Sequence, residues 1–280
     1  MSLIQIILFL QTENKLDNHK RIIFKYYYHM KNETFYNAVS SAYDSMISFE
    51  KSLDKRKSFY EKVLVEENVK TVADLGCGSG LDSLALAGIG LKVTGFDPSA
   101  EMIKLAKKNA EKFGAEISFY RKSIIEIPNK FNNKFDCIIS FGNTLANINK
   151  NDLIKTFQKI SYLLKANGLF ISQILNYSRI EKQKETIIGI RETEDSTIIR
   201  FNEFLKDEMI FHFLSIDKKN ISASSHYSTK IFPHKQKFIS TAHRQSGFSK
   251  TKSYGSLLLE KFNYETSKDL IIVTQKSSEL

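Results

Sequence analysis

The stretch on which the fold depends is VADLGCGSGLD, residues 72–82. The apolar run 69–73 is typical of a buried strand, and residues 81–90 are typical of a helix. Three glycines lie at this strand-to-helix turn: Gly76, Gly78 and Gly80. Because glycine has no β-carbon, the backbone can pass close to a ligand here. The stretch therefore predicts a ligand-binding turn in an α/β protein.

The spacing of the glycines and a preceding acid narrow the choice of ligand. The spacing is Gly-x-Gly-x-Gly, whereas the dinucleotide fingerprint is Gly-x-Gly-x-x-Gly. Asp74 lies two residues before Gly76, where its carboxylate would repel a pyrophosphate by about 4 kcal/mol at a separation of about 4 Å. A cationic nucleoside without phosphate suits this turn, and S-adenosylmethionine, with its sulfonium and ammonium groups, is such a ligand.

A second acid follows the glycine turn at the distance in sequence where a carboxylate usually binds a ribose. Residues 91–96 predict a second strand ending at Asp97, which lies 21 residues after Gly76. A carboxylate at that place accepts hydrogen bonds from ribose hydroxyls. Pro98 and Ser99 then open a helix over residues 101–110, with Ser99 as the predicted N-cap.

The sequence DLGCGSG at 74–80, followed by GFDPS at 95–99, resembles the class I S-adenosylmethionine-dependent methyltransferases. The resemblance implies an α/β fold with a doubly wound seven-stranded sheet, mostly parallel with the last strand antiparallel. It also implies helices on both faces and an inserted antiparallel β cap. A Rossmann dehydrogenase and a purely structural glycine turn are the alternatives, and the joint presence of both halves disfavours them.

The resemblance implies a set of residues that bind S-adenosylmethionine: Asp74, Gly76, Gly78, Gly80, Asp97, Pro98, Met102, Ser123, Ile124, Phe141 and Arg56. Ser123 stands where the family often has an acid that accepts from the adenine amine, and the Ile124 N–H would meet the ring. Met102 would pack on the adenine face or, alternatively, in the core. Arg56 matches an arginine that holds the cofactor's carboxylate in the glycine N-methyltransferase branch, or else it is a solvated helix charge.

The loop FGNTLANI, residues 141–148, follows a predicted fourth strand at 135–140. It resembles the Gly-Asn-Ser/Thr-x-x-His-Leu stretch of glycine/sarcosine-type N-methyltransferases, and no Asn/Asp-Pro-Pro-Tyr motif of enzymes that methylate base amines is present. Asn143 is predicted to orient the acceptor through its amide, unless it only satisfies backbone groups of its loop. The predicted acceptor-binding residues are Tyr36, Tyr43, Asn143 and Asn176.

Two departures from the glycine-specific enzymes argue that glycine is not the acceptor. Leu175 occupies the place of their substrate-gripping arginine, and Asn147 replaces the histidine of their loop. Three other arginines either bind an anionic substrate or are ordinary surface charges: Arg179, Arg191 and Arg200.

The predicted organisation has four parts. Residues 1–29 form a disordered extension, with Met30 as an alternative start and a membrane-surface segment as the competing interpretation. Residues 30–176 hold N-terminal helices and the cofactor core, residues 177–233 the cap, and residues 234–280 a helix and strands that complete the sheet. The pattern is helical over 33–65 and 234–245, while the remaining predicted strands are 115–120, 169–175, 186–190, 196–205, 209–216, 221–231, 250–254 and 269–275.

Composition excludes few functions. The chain has 280 residues, 42% of them hydrophobic, and a formal net charge of +10 that could attract nucleic acid. The basic residues are dispersed among acids, which disfavours RNA as a partner. Two cysteines without metal-ligand spacing predict no metal and a cytoplasmic location. The predicted function is methyl transfer from S-adenosylmethionine to a small-molecule acceptor, most simply an amine, by in-line displacement. An RNA or protein methyltransferase, or a cofactor-binding protein without turnover, remains the alternative.

Overall fold

The computed structural model of the chain describes residues 29–206 and 208–278. The predictions for residues 1–28 lie outside the described residues. In chain order the strands are β1 (Thr71–Leu75), β2 (Lys92–Asp97), β3 (Ser118–Arg121), β4 (Phe135–Ser140), β5 (Leu164–Leu175), β6 (Ile187–Glu192), β7 (Ser196–Phe204), β8 (Met209–Asp217), β9 (Ser225–Ile231), β10 (Phe248–Tyr254) and β11 (Asp269–Lys276). The helices are α1 (Asn32–Ile47), α2 (Phe49–Leu64), α3 (Leu81–Ala87), α4 (Ala100–Lys112), α5 (Lys150–Leu163), α6 (Tyr177–Gln183) and α7 (Gln236–Gln245).

The central sheet has the predicted doubly wound topology. Over the described ranges it contains seven strands in the order β10-β11-β5-β4-β1-β2-β3. The strands β1 to β5 are mutually parallel, whereas β11 runs antiparallel to both of its neighbours. The strand order reverses at β1, which lies between β4 and β2. In such sheets a ligand binds in the crevice beyond the carboxyl ends of the strands at the reversal point.

The sheet is buried on both faces. Neighbouring residues of β4 point to opposite sides, so that Ile138 packs in one apolar cluster with Phe157 while Ile139 packs in another with Phe59. This explains the continuous apolar runs of β1 and β4, because a parallel strand covered by helices on both faces has no solvent-exposed side.

The predicted cap is an antiparallel sheet in the order β6-β7-β8-β9. Its last strand begins at Ser225, later than the predicted 221–231, since residues 221–223 form a 3₁₀ turn. The Asn220 side chain accepts a hydrogen bond from the Ser222 N–H and caps this turn. Such local bonds compete with strand pairing.

The helical pattern at 33–65 becomes two helices that contact different parts of the molecule. Ser48 separates them in the left-handed conformation, with φ of 53°. Phe35 of α1 packs against Ile198 of the cap, whereas Phe59 of α2 packs on the central sheet. The bend therefore places α1 between the cap and the end of the sheet. None of the helices within the described ranges is both long enough and apolar enough to cross a membrane.

Candidate functional site

The glycine turn after β1 requires glycine for both conformation and space. Gly76, Gly78 and Gly80 have φ values of 73°, 52° and 87°, the left-handed region that side chains disfavour. The Gly76 N–H donates to the Phe96 carbonyl oxygen at 2.8 Å and so anchors the turn to β2. A β-carbon on Gly76 would lie 2.5 Å from the Thr144 Oγ1, so the loop after β4 could not approach the turn as it does.

Asp97 ends β2 directly beside this turn. Its Oδ2 accepts a hydrogen bond from the Gly78 N–H at 2.9 Å, and its Oδ1 accepts from the Ser99 N–H at 2.8 Å. Burial raises the pKa of Asp97 to about 6, although both hydrogen bonds oppose the shift. The carboxyl is therefore mainly ionised at pH 7. Ser99 is the N-cap of α4, as predicted, since its Oγ accepts from the Met102 N–H.

Asp74 lies on the same face of the sheet as Asp97. Asp74 is opposite Gly95 in the β1–β2 register, and Asp97 follows Gly95 by two residues. The Asp74 side chain is only 1% exposed and accepts a 2.6 Å hydrogen bond from the Ser83 hydroxyl. Burial, helped by the charge of Asp82, raises its pKa to about 8. Asp74 thus lies behind the turn, outside the residues that line the cavity described next, and its contact with a cofactor stays a prediction.

A cavity of about 320 Å³ opens at the carboxyl ends of β1, β2 and β4. Eight of the predicted site residues line it: Tyr36, Tyr43, Gly76, Gly78, Asp97, Pro98, Ser123 and Ile124. The volume falls within the range of about 300–1,000 Å³ that is usual for small-molecule sites. The structure therefore brings together residues from α1 and from the loops after β1, β2 and β3.

The loop after β3 forms one end of the cavity. The Ser123 N–H and hydroxyl both donate to the Glu126 Oε2, at 3.1 and 2.6 Å, and this fixes the start of a 3₁₀ turn. The Ser123 hydroxyl oxygen keeps its capacity to accept a hydrogen bond. The first N–H groups of a helical turn have no partner inside the turn, so the Ile124 N–H is available to a ligand. Together they match the donor and acceptor of an adenine edge.

The Tyr36 and Tyr43 rings form the side of the cavity that faces α1. Their ring centroids are 6.3 Å apart in an edge-to-face arrangement, and the Tyr36 hydroxyl accepts from the Asn147 Nδ2 at 3.3 Å. Burial raises the pKa of both phenols, so they remain neutral and can bond a ligand without adding charge.

Arg56 combines one ionic contact with one unused donor. Its Nε lies 3.5 Å from the Asp82 Oδ1, and its guanidinium carbon lies 4.7 Å from the centroid of the Phe141 ring. The Arg56 Nη1 is buried and has no hydrogen-bond partner among the described residues. A buried donor without a partner is costly, and a ligand carboxylate would satisfy it. Arg56 is not among the residues that line the cavity, so its contact with the amino-acid part of S-adenosylmethionine stays a prediction, whereas Asp97 lies at the cavity where a ribose would bind.

Met102 and Phe141, both predicted to contact the cofactor, have the contacts of core residues. Met102 packs with Phe35 and Phe213 between α1 and the cap. Phe141 packs in the cluster beneath the sheet and meets Arg56. Neither side chain is among those that line the cavity. For Met102 the reason is the phase of α4, which begins at the Ser99 cap and turns this position toward α1.

Asn143 and Asn176 also lie away from the cavity wall. The Asn143 Oδ1 accepts from the Leu175 N–H at 3.0 Å, and its Nδ2 donates to the Tyr177 hydroxyl at 2.7 Å. The Asn176 side chain begins α6 by accepting from the Arg179 N–H, and its Nδ2 donates to three backbone carbonyls of residues 263–267. The contacts of Asn176 are structural, and its place beside the acceptor stays a prediction. The role of Asn143 in catalysis stays a prediction.

The cavity also has a polar residue that the sequence did not single out as a ligand contact. Asn147 lines it, and its Oδ1 is buried without a hydrogen-bond partner in the described part of the chain. The departure from the family's histidine at this position was the signal that could have identified it. An amide oxygen aimed at a ligand accepts from an N–H or O–H group.

The comparisons with known proteins agree with this geometry. A family model described as a methyltransferase domain matches residues 72–168. An S-adenosylmethionine-dependent methyltransferase from Clostridium acetobutylicum ATCC 824 has the same fold, with a TM-score of 0.74 at 19% identity, covering 86% of this chain and 99% of that one. Residues 72–168 therefore match a methyltransferase domain, and the chain has the fold of S-adenosylmethionine-dependent methyltransferases. The predicted resemblance, fold and cofactor are confirmed.

Two curated relatives are similar over different lengths. A putative methyltransferase of Geobacillus sp. (strain WCH70) is 30% identical over 143 residues, which are 50% of this chain and 57% of that protein. A glycine/sarcosine N-methyltransferase of Parasynechococcus marenigrum (strain WH8102) is 22% identical over 214 residues, which are 76% of this chain and 75% of that protein. The match to the Geobacillus protein thus spans little more than half of its length, while the second similarity extends into the cap.

Proposed function

We propose that the chain transfers a methyl group from S-adenosylmethionine to a small-molecule amine. The observation that carries this proposal is the cavity in which the glycine turn and Asp97 face two neutral tyrosines. The similarity to a protein named glycine/sarcosine N-methyltransferase supports an amine as the acceptor.

Each end of the cavity has a separate binding task. Asp97 accepts hydrogen bonds from the ribose hydroxyls, and Ser123 and Ile124 hold the adenine edge. Arg56 lies outside the cavity lining and reaches the methionine carboxylate with its Nη1, which is unpaired among the described residues. Bound S-adenosylmethionine would supply an electrophilic methyl group on its sulfonium: the N–C bond forms as the C–S bond breaks, S-adenosylhomocysteine is released as a neutral thioether, and the extra proton of the methylated amine passes to solvent. The binding residues fix the position of that methyl group and leave the direction opposite the sulfur open to the acceptor.

The remaining residues position the acceptor. The Asn147 Oδ1 accepts an N–H of the amine and turns the nitrogen lone pair toward the methyl group. Tyr36 and Tyr43 exclude water from the path of the lone pair and remain uncharged because of their burial. Holding the two reacting atoms about 3–3.5 Å apart in a closed site contributes most of the acceleration, since the leaving group is already activated.

Incubation with methyl-labelled S-adenosylmethionine and fractionated metabolite extract tests the proposal. We expect a labelled small molecule whose methyl group is on nitrogen, formed together with one equivalent of S-adenosylhomocysteine. The Asn147→Ala variant should raise the KM for the acceptor about tenfold through loss of one hydrogen bond. Tyr162→Phe, on the exposed face of α5, is the control and should change nothing.

Two results would contradict the proposal. The first is tight cofactor binding with no labelled product from any fraction, which would make the chain a cofactor-binding protein. The second is label recovered only in added RNA or protein, which would exclude a small acceptor.

A further inference from the structure

The inner face of the cap carries polar side chains that the cofactor site does not use. Alternate residues of a strand point to the same face. On β7, Ile198 faces α1, where it packs with Phe35. Arg200 and Asn202 follow Ile198 at steps of two and therefore face the same side, toward α1 and the cavity behind it.

Arg200 has no counter-charge in the part of the chain that the structure describes. None of the described carboxylates forms an ion pair with Arg200, whereas Arg179 pairs with Glu185 at 2.6 Å. The Arg200 guanidinium lies over Gly189, where an added β-carbon would be 2.8 Å from its Nη2. Burial lowers the pKa of Arg200, and the cation of Arg191 lowers it further, while Tyr43 opposes the shift. Ile198, on the same face as Arg200, packs in one cluster with Tyr43, which lines the cavity.

Arg191 adds a second cation to this face. It is opposite Ile198 in the β6–β7 register, and Gly189 is opposite Arg200, so the two arginines are diagonal neighbours. The Arg191 Nη1 donates to the Ser48 hydroxyl, but its Nε is buried and unpaired among the described residues. Two neighbouring cations without an acid repel each other, and a bound anion would remove that repulsion.

Asn202 completes the group. Its side chain is 0% exposed, and neither its Oδ1 nor its Nδ2 has a hydrogen-bond partner in the described chain. Folded proteins rarely leave buried polar groups unpaired, because each such group destabilises the fold. A row of unpaired polar groups on one face is therefore better explained by a ligand than by packing.

We propose that the inner face of the cap binds an anionic oxygen group of the methyl acceptor, a carboxylate or a phosphate, through Arg200 and Arg191. Asn202 bonds a neighbouring polar group of the same molecule. This proposal rests on the proposed methyl transfer and specifies its substrate class: an amine that also carries an anion. A planar guanidinium suits both anions, because its paired N–H groups match two oxygens at once.

A binding experiment tests the site without turnover. The protein saturated with S-adenosylhomocysteine is titrated with acetate or inorganic phosphate, with chloride as the control for ionic strength, and its thermal unfolding is followed. We expect one of the two anions to raise Tm more than chloride does, and the responding anion identifies the group. Arg200→Gln should abolish that rise and leave the affinity for S-adenosylhomocysteine unchanged. Arg244→Gln, an exposed arginine of α7, should behave as the unchanged protein.

Turnover gives the second readout. Labelled product from a metabolite extract should be retained by an anion exchanger, and Arg200→Gln should raise the KM for its precursor about 10- to 100-fold, the usual loss for a charge-assisted hydrogen bond. Arg200→Lys should recover part of that loss. Labelled product that is not retained and that Arg200→Gln leaves unaffected would overturn the anion site but not methyl transfer. Absence of any labelled product would overturn methyl transfer, and the anion titration would still decide the site. The anion site would be overturned if the rise in Tm were equal in Arg200→Gln and Arg244→Gln, or if neither anion raised Tm.

Discussion

At the scale of single residues, the proposed role of Asp97 predicts that cofactor binding depends on pH. Its carboxylate is held by two backbone N–H groups and keeps lone pairs for the ribose hydroxyls. Because the pKa of Asp97 is about 6, we expect the affinity for S-adenosylmethionine to be constant near pH 8 and to fall below pH 6, where the carboxyl takes up a proton. Calorimetry between pH 5 and pH 8 measures this dependence.

Two variants of Asp97 separate its charge from its shape. Asp97→Ala should weaken cofactor binding by about 1.5–3 kcal/mol, since it removes hydrogen bonds to a charged group. Asp97→Asn should lose affinity as well, and the remaining affinity should not vary between pH 5 and pH 7. Affinity that stays unchanged in Asp97→Ala would remove Asp97 from the site.

Gly76 and Gly90 separate the two reasons why a position requires glycine: a positive φ and a lack of space for a β-carbon. Both have positive φ, 73° and 86°, but a β-carbon on Gly76 would strike Thr144, whereas one on Gly90 meets nothing within 4 Å. Gly90→Ala should therefore lower the free energy of unfolding by about 1 kcal/mol, through backbone strain alone, and leave cofactor affinity intact. Gly76→Ala should lower it by more and abolish cofactor binding.

Urea denaturation and calorimetry on the same two variants test this comparison. Equal losses of stability with cofactor affinity retained in both would show that Thr144 gives way, and the close approach of the two loops would then have no role in binding.

At the scale of elements, Asn143 connects the loop after β4 to the beginning of α6. Its amide bonds both the Leu175 N–H and the Tyr177 hydroxyl. We expect Asn143→Ala to lower kcat while changing cofactor affinity less than twofold, because the loop that faces the acceptor loses its anchor. Tyr177→Phe removes only the hydroxyl, so a similar drop in kcat would assign the effect to the anchor.

Steady-state kinetics with calorimetry distinguish the roles of Asn143. A drop in Asn143→Ala without one in Tyr177→Phe would assign the effect either to the bond with the Leu175 N–H or to a direct contact with the acceptor, and would exclude the Tyr177 hydroxyl. An equal loss of kcat and cofactor affinity in Asn143→Ala would contradict both roles and reassign this residue to the cofactor site.

The positions of most helices and strands were predictable from the sequence, because burial of the strands leaves a regular pattern of apolar residues. The β4 bounds, the Ser99 cap and the four cap strands follow from local pattern, and the structure agrees within a few residues. The separation of α1 from α2 at Ser48 was not predictable from a helical period. It depends on a serine held in the left-handed conformation, where Arg191 of the distant β6 donates to its hydroxyl.

The predicted site residues fall into two groups: those that a local motif identifies and those whose orientation depends on the folded structure. Glycines and Asp97 were identifiable since a tight turn and a strand end allow few alternatives. Asn176 and Met102 make structural contacts that the resemblance did not indicate, because their orientation is set by a helix cap and a helix phase that no short motif encodes. The unpaired groups of Asn147 and Asn202 become visible only when the neighbours of each side chain are known.

At the scale of the whole molecule, buried carboxyls make stability depend on pH. The pKa of Asp74 is about 8 in the fold, because burial and the charge of Asp82 raise it, whereas an unfolded aspartate has a pKa of about 3.9. Between those values the native state binds more protons than the unfolded state. The free energy of unfolding therefore falls as pH rises from about 4 to about 8. Asp74→Asn removes the contribution of Asp74 to this dependence, while the smaller contribution of Asp97 remains.

Asp136 is the control, because folding lowers its pKa whereas it raises the pKa of Asp74. Burial alone would raise its pKa, but the Lys165 ammonium and the Thr71 hydroxyl and N–H outweigh burial and lower the pKa to about 2. The contribution of Asp136 is present above pH 4 and is lost as pH falls toward 2, so Asp136→Asn should destabilise the protein at pH 7 and progressively less in acid.

Urea denaturation at pH 5, 7 and 9 without cofactor should show Asp74→Asn more stable than the unchanged protein at pH 9 and close to it at pH 5. Parallel curves for the two proteins would mean that Asp74 stays ionised in the fold. A buried anion would then already be present beneath the glycine turn before any cationic ligand binds.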